Sequence, residues 1–270
     1  MCGITGFWVN PSSLFDQEKT LANMTKTLDH RGPDSIGLYL DDECNLGFGH
    51  ARLSILDLSE AGNQPMLSAS KRYALSYNGE IYNHHEIRSK LESQYNKIQW
   101  TGTSDTETLL KAIDFWGLDD ALEKCRGMFA FALWDKKDSK LFLVRDRLGI
   151  KPLYWYSSGN YFAFASEIKA LKVLPWINFE IDTESLSSYV RLNYIPAPYS
   201  IFKKIFKILP GNYIEIDKTK QIKIKSFWSL QKIVTRKSSV SNFNIIKNNL
   251  ERSINNQMRS DVPLGVFLSG

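Results

Sequence analysis

Residue 2 is a cysteine, followed by glycine and isoleucine. An initiator methionine is generally trimmed when the next residue is small. Trimming leaves Cys2 with a thiol and a free α-amine on one residue. A thiol pKa of about 8.5 and an α-amine pKa of about 7.7–8.0 both lie near neutrality. The amine can therefore take the thiol's proton, directly or through a water. This is an N-terminal nucleophile, and it needs no histidine. Gly3 lets the backbone bend closely around a substrate. The competing reading is a chance cysteine at position two.

A nucleophile for acyl transfer needs donors for the oxyanion it creates. Asn78-Gly79 can supply a side-chain amide and a backbone N–H, although the same dipeptide makes an ordinary hairpin turn. A small amino-acid substrate also needs its charges matched. Arg52, beside the apolar stretch Leu53-Ser54-Ile55-Leu56, offers a fork for a carboxylate; otherwise it is an exposed strand arginine. Asp105 offers a carboxylate for an ammonium, or it simply caps a helix and offsets its dipole. His30-Arg31-Gly32-Pro33-Asp34 is either a loop over the site or a helix stop. His84-His85 lacks the i, i+4 spacing of helical metal ligands and reads as a surface feature, so no metal site is expected.

The elements that must position these residues are short. Strands are expected at Ile4–Val9, Ile36–Leu40, Asn45–Ile55, Tyr73–Tyr77, Met128–Trp134, Leu141–Val144 and Tyr161–Ala165. The strand from Tyr73 should end in the Asn78-Gly79 turn. Helices are expected at Gln17–Leu28, His84–Leu91, Asp105–Trp116 and Glu167–Leu171. Ser104 and Glu107 form a capping box for the third of these. Trp8, Phe129, Phe131, Trp134, Phe142, Phe162 and Phe164 alternate along strands and belong to the core. From about Lys172 several prolines mark a connecting region. A hairpin over Asn212–Ile216 and Gln221–Phe227 follows, then a polar helix over Asn242–Arg259 and an apolar strand over Pro263–Leu268.

Composition narrows the class. Of 270 residues, 43% are apolar, enough for a substantial core. No apolar run reaches the ~18 residues of a membrane helix, so no membrane role is expected. Three widely spaced cysteines are no disulfide framework and fit a reducing cytoplasm; Cys44 and Cys125 read as inert thiols. The net charge of +5 is asymmetric: residues 1–180 carry 20 basic and 23 acidic side chains, residues 181–270 carry 14 and 6. The scattered lysines read as a solvated face. Nucleic-acid binding is the weaker alternative, because aromatic-interleaved basic motifs are absent.

Taken together, several motifs are far more specific than any one of them. Cys2-Gly3-Ile4, His30-Arg31-Gly32-Pro33-Asp34, Gly49-His50-Ala51-Arg52-Leu53-Ser54-Ile55, Asn78-Gly79-Glu80-Ile81-Tyr82-Asn83 and Ser104-Asp105-Thr106-Glu107 occur in that order. Arg126-Gly127-Met128-Phe129-Ala130 and Arg145-Asp146-Arg147-Leu148-Gly149-Ile150-Lys151-Pro152-Leu153-Tyr154 follow. The chain resembles, over essentially its whole length, the bacterial-type glutamine-hydrolysing asparagine synthetases.

That resemblance implies an α+β fold: an N-terminal nucleophile hydrolase αββα sandwich, followed by the truncated start of an α/β ATP-pyrophosphatase-type synthetase domain. It implies a glutaminase domain over 1–175, a connecting region over 176–240 and the start of the ATP-binding domain over 241–270. Cys2 would be the nucleophile and its α-amine the base. Asn78 and Gly79 would form the oxyanion hole. Arg52 would bind the glutamine carboxylate with help from the backbone near Ile55. Glu80 and Asp105 would orient the substrate, Asp105 at its α-amino group. Phe267, Ser269 and Gly270 would fall at the ATP site, in a Ser-Gly-Gly-x-Asp-Ser loop of which only the first two residues are present. The chain is therefore expected to be the front part of a longer protein, well folded to about residue 175 and loosely anchored after it. Glutamine hydrolysis would need no cofactor. Synthesis would need ATP and magnesium, with aspartate as acceptor and a homodimer as the assembly. Two alternatives stand beside this reading: a different carboxylate acceptor such as a sugar acid, and a non-catalytic amidotransferase-like binding domain.

Overall fold

The computed structural model describes residues 1–10, 15–95, 98–234 and 243–267; the side chains of residues 232 and 233 are left out. Strand β1 (Gly3–Val9) is followed by helix α1 (Gln17–Lys26), β2 (Ser35–Asp41), β3 (Leu46–Arg52), β4 (Met66–Leu67) and β5 (Tyr73–Ile81). Helices α2 (His84–Gln94), α3 (Asp105–Trp116) and α4 (Leu118–Lys124) come next. The chain then runs through β6 (Gly127–Asp135), β7 (Lys140–Arg145), β8 (Tyr154–Ser158), β9 (Tyr161–Ala165), α5 (Ile168–Leu171) and α6 (Thr183–Leu192). It continues with β10 (Ile205–Lys207), β11 (Asn212–Ile216), β12 (Ile222–Ser226), α7 (Leu230–Val234) and α8 (Phe243–Gln257).

The strands form two antiparallel sheets of six, ordered β10-β8-β9-β1-β3-β2 and β12-β11-β7-β6-β5-β4. Alternation along each strand explains why they stack. On β6, Ala130, Ala132 and Trp134 face the layer between the sheets, while Phe129, Phe131 and Leu133 face α2, α3 and α4. On β1, Ile4 and Trp8 enter the layer between the sheets, while Phe7 and Val9 face α1 and α5. The result is four layers, helices outside and sheets inside. Trp8 and Trp134 meet edge to face across the middle layer, 4.9 Å between ring centroids. That anchors the end of β1 in the middle layer, and Ile4 anchors its start there.

Three expectations need correction. Asn78-Gly79 is not a turn: β5 runs through it to Ile81, with Asn78 opposite Ala130 and Gly79 opposite Phe129 on β6. The glycine is required by close packing, since a Cβ at residue 79 would fall against the Met128 carbonyl and the Phe129 backbone. The sheets also do not stop at residue 175. β10 joins the first sheet, and β11 and β12 complete the second, burying Ile205, Ile208, Ile214 and Ile216. The prolines that suggested a connection only separate these short strands. Finally, residues 263–267 of the expected terminal strand pair with no strand among the described residues, and Val266 and Phe267 are exposed. A strand needs a neighbour's backbone groups, and none is there. Helix α8 does form, but it buries no residue.

Candidate active site

A cavity of about 290 Å³ is lined by residues of both sheets and of the helix layer beside the second. Cys2 enters it just before β1, Arg52 from the end of β3, and Asn78, Gly79 and Glu80 from β5. Ile55 enters from the loop after β3, and Asp105 from the first turn of α3. Residues spread over a hundred positions thus share one small space.

The Cys2 sulfur lies at the point where β3 leaves its sheet. Sγ accepts the Leu53 N–H at 3.3 Å, and the thiol faces the Leu53 carbonyl at 3.5 Å. Burial pushes the thiol above its ordinary pKa, opposed by the Leu53 N–H and the nearby terminal amine. The Met1 amine is pulled below its ordinary value, chiefly by burial. While Met1 is attached, the nitrogen of Cys2 is an amide with no basic lone pair. Arg31 fixes the cysteine from behind: its Nε donates to the Cys2 carbonyl at 3.0 Å and its Nη1 to Glu167 at 2.8 Å. Asp34, from the same motif, accepts the Ser54 N–H at 2.7 Å. The motif is therefore a brace for the site.

Asn78 is 1% exposed, and its Nδ2 has no hydrogen-bond partner among the described residues. A buried amide donor without a partner costs roughly 1–3 kcal/mol. An acceptor that arrives with substrate removes that cost.

Arg52 is fastened by its own loop. Nη1 donates to the Ser59 carbonyl at 3.0 Å and to Asn63 Oδ1 at 2.8 Å, and Nη2 donates to the Asp57 carbonyl. Gly62 makes room, since a Cβ there would strike Nη2. Three of five guanidinium N–H groups are thereby used, leaving Nε–H and one Nη2–H for a ligand. The Ile55 carbonyl accepts the Asp261 N–H at 3.0 Å, and Asp57 N–H donates to Asp261 Oδ2 at 2.8 Å. The segment after α8 thus touches the loop that holds Arg52.

Asp105 is buried, and its Oδ2 accepts the Tyr77 hydroxyl and the Ile81 N–H, each at 2.8 Å. Burial raises its pKa against those bonds. Ser104 caps α3 by accepting the Glu107 N–H at 3.2 Å. The return arm of the expected capping box is absent, because Glu107 accepts the Thr101 and Gly102 N–H groups instead. Glu80 is half-buried, and burial followed by the Asp105 charge raises its pKa.

Sequence reasoning passed over Lys151, which lines the cavity, and left Arg31 undecided. Position in the motif names no target for either side chain. His84 is buried rather than superficial, its ring 4.0 Å from that of His85. Among the described residues, no group of three or more His, Cys, Asp or Glu side chains is placed to hold a metal. Phe267 is fully exposed, and Ser269 and Gly270 lie outside the described residues.

Known proteins resemble the chain in sequence and fold. A family model described as a glutamine amidotransferase domain matches residues 1–228. The chain is 37% identical over 292 residues to the putative asparagine synthetase [glutamine-hydrolyzing] 2 of Methanocaldococcus jannaschii, covering 100% of this chain and 55% of that protein. It is 37% identical over 272 residues to asparagine synthetase [glutamine-hydrolyzing] 1 of Bacillus subtilis, covering 100% and 42%. The chain thus spans about half the length of the curated relatives it matches. Among solved structures, glutamine phosphoribosylpyrophosphate amidotransferase from B. subtilis superposes with a TM-score of 0.60 at 19% identity, covering 84% of this chain and 49% of that one. The αββα sandwich is therefore the N-terminal nucleophile hydrolase fold of glutamine amidotransferases.

Proposed function

The chain belongs to the glutamine amidotransferase domain family, and from that premise we propose that its cavity hydrolyses glutamine through a thioester on Cys2. Removal of Met1 frees the Cys2 amine, which takes the thiol proton. The sulfur attacks the side-chain amide carbon of glutamine, and the carbonyl oxygen becomes an oxyanion. The Asn78 amide and the Gly79 N–H receive that charge. The C–N bond then breaks and the amine's proton goes to the leaving ammonia. Water next attacks the thioester, releasing glutamate and restoring the thiol. Arg52 holds the α-carboxylate on its two free N–H groups, with the Ile55 backbone beside it. Asp105 holds the α-ammonium, and Glu80 helps to orient the substrate.

The observation that carries this reading is the buried Nδ2 of Asn78, without a partner among the described residues, in the same cavity as the Cys2 thiol. The test is glutamate release from glutamine by the chain lacking Met1, with Cys2→Ala as control. Release that disappears in the variant supports the thioester route. No release from the trimmed chain counts against it and favours a binding domain.

The relatives' names support a wider assignment: ammonia delivered to an activated carboxylate, with aspartate as acceptor. ATP and magnesium would serve that second half. The described residues do not fit them, since Phe267 points to solvent and no metal cluster is present among them, so no step here runs through either. The family match to residue 228 supports a glutaminase fold that reaches beyond residue 175, and residues 241–270 would open the synthetase half. The three free cysteines favour a reducing, cytoplasmic setting.

A further inference from the structure

The turn between β7 and β8 is fixed far more firmly than a surface turn requires. Asp146 is completely buried. Its Oδ1 accepts the N–H groups of Leu148 and Ile150, both at 3.0 Å. Its Oδ2 accepts those of Phe129 at 3.2 Å and Lys151 at 2.9 Å. Arg145 grips the carbonyls: Nε to Lys151 at 2.8 Å, Nη1 to Ile208 at 2.7 Å and Nη2 to Gly149 at 2.6 Å. Seven bonds from two side chains thus lock residues 148–151 against β6 and the strand leading to β11. Leu148 points to solvent, and Ile150 is half-exposed at the rim of the cavity. What the lock achieves is on the inner face. Lys151 is 4% exposed and lines the same cavity as Cys2 and Glu80.

An ammonium with no close partner is costly to bury. Among the described residues Lys151 forms no ion pair within 4.0 Å. Arg52 is largely held by its loop and Asp105 by Tyr77 and Ile81, which leaves Glu80 as the cavity carboxylate that faces the lysine. The lysine is therefore a fixed charge available to a reaction rather than to the fold.

We propose that Lys151 is an electrostatic positioning residue that favours the thiolate of Cys2, both when it attacks and when it leaves the thioester. This rests on the glutaminase reading for its chemical purpose, though not for its physical effect. The groups facing the thiol are few. The terminal amine and Lys151 favour the anion, the Leu53 N–H supports it, and Asp105 opposes it. Lys151 itself is faced by Glu80, Arg31 and Asp146, and burial lowers its own pKa. Glu80 competes with the thiolate for the same ammonium.

The test is the pH profile of Cys2 alkylation by iodoacetamide, read peptide by peptide by mass spectrometry on the full chain without Met1. In Lys151→Met the Cys2 midpoint should rise by about one pH unit, while Cys44 and Cys125 stay where they are. Lys151→Arg should restore most of the shift. Glu80→Gln, which frees the lysine from its competitor, should move the midpoint down, and it tests the idea even if Lys151→Met does not fold. Where glutamate release is measurable, the acid limb of kcat/KM should follow the thiol. A Cys2 midpoint unchanged in Lys151→Met, or unchanged in Glu80→Gln, overturns the proposal. A shifted midpoint in a chain that releases no glutamate keeps the electrostatic role and removes the glutaminase reading.

Discussion

The Nε of Arg31 donates to the carbonyl oxygen of Cys2 at 3.0 Å, and the other side of the same guanidinium meets Glu167. The residue that carries the thiol is thus held by its backbone from a loop 29 positions away. Arg31→Met should destabilise the fold by roughly 1.5–3 kcal/mol, the range for a hydrogen bond to a charged group. It should lower kcat about tenfold or more while KM for glutamine stays within about twofold. Arg31→Lys should not rescue, because a point charge cannot span both partners. Urea unfolding and steady-state kinetics check these outcomes.

Asn78→Ala should separate stability from activity. The Nδ2 group has no partner to lose, so the unfolding free energy should change by no more than about 1 kcal/mol. Removing one oxyanion donor typically lowers kcat by about 10²–10³. A variant with full activity would remove Asn78 from the oxyanion hole.

Arg52→Ala should act twice. KM for glutamine should rise strongly, by about a hundredfold, since a bidentate carboxylate contact is lost. The loop from residue 53 to 63 should also become more sensitive to protease, because Ser59, Asn63 and Asp57 lose their shared donor. A KM equal to that of the parent chain would exclude the carboxylate role.

His50 sets a pH limit. Its Nε2 lies 3.0 Å from the Tyr77 carbonyl, so that nitrogen carries the proton and the ring is neutral. Burial lowers its pKa to about 4. In the unfolded chain it titrates near 6.5, so between these values the unfolded state binds more protons. Stability from this group is complete above pH 6.5 and is lost as pH falls toward 4, by up to roughly 3 kcal/mol. The difference in urea midpoint between the parent and His50→Gln should shrink over that window.

The sequence carried the chemistry better than the geometry that serves it. Cys2, Arg52 and Asp105 each have an ordinary reading alone and are legible only as members of an ordered set of motifs, and the structure puts all three in one cavity. Asn78-Gly79 was legible as a pair but misread as a turn. What distinguishes a turn glycine from one pressed against a neighbouring strand is the partner backbone, and β6 begins almost fifty residues later. The same reason hides β10, whose three residues are too few for a period. Lys151 was invisible for a different cause. A lysine in a polar turn is ordinarily solvated, and only the bonds from Asp146 and Arg145 turn it inward.

The two hydrogen bonds that join residue 261 to Ile55 and Asp57 have a thermodynamic consequence. They lie on the loop whose carbonyls fasten Arg52, the residue proposed to hold the glutamine carboxylate. If a bound amino acid tightens that loop, it must also tighten the hold on the segment after α8, and by the same factor in each direction. A coupling in the ordinary range of about 1–3 kcal/mol would change affinity roughly 5- to 150-fold. On that condition, a pull on residue 261 would be felt in the pocket, and a filled pocket would be felt at residue 261 through the same two bonds.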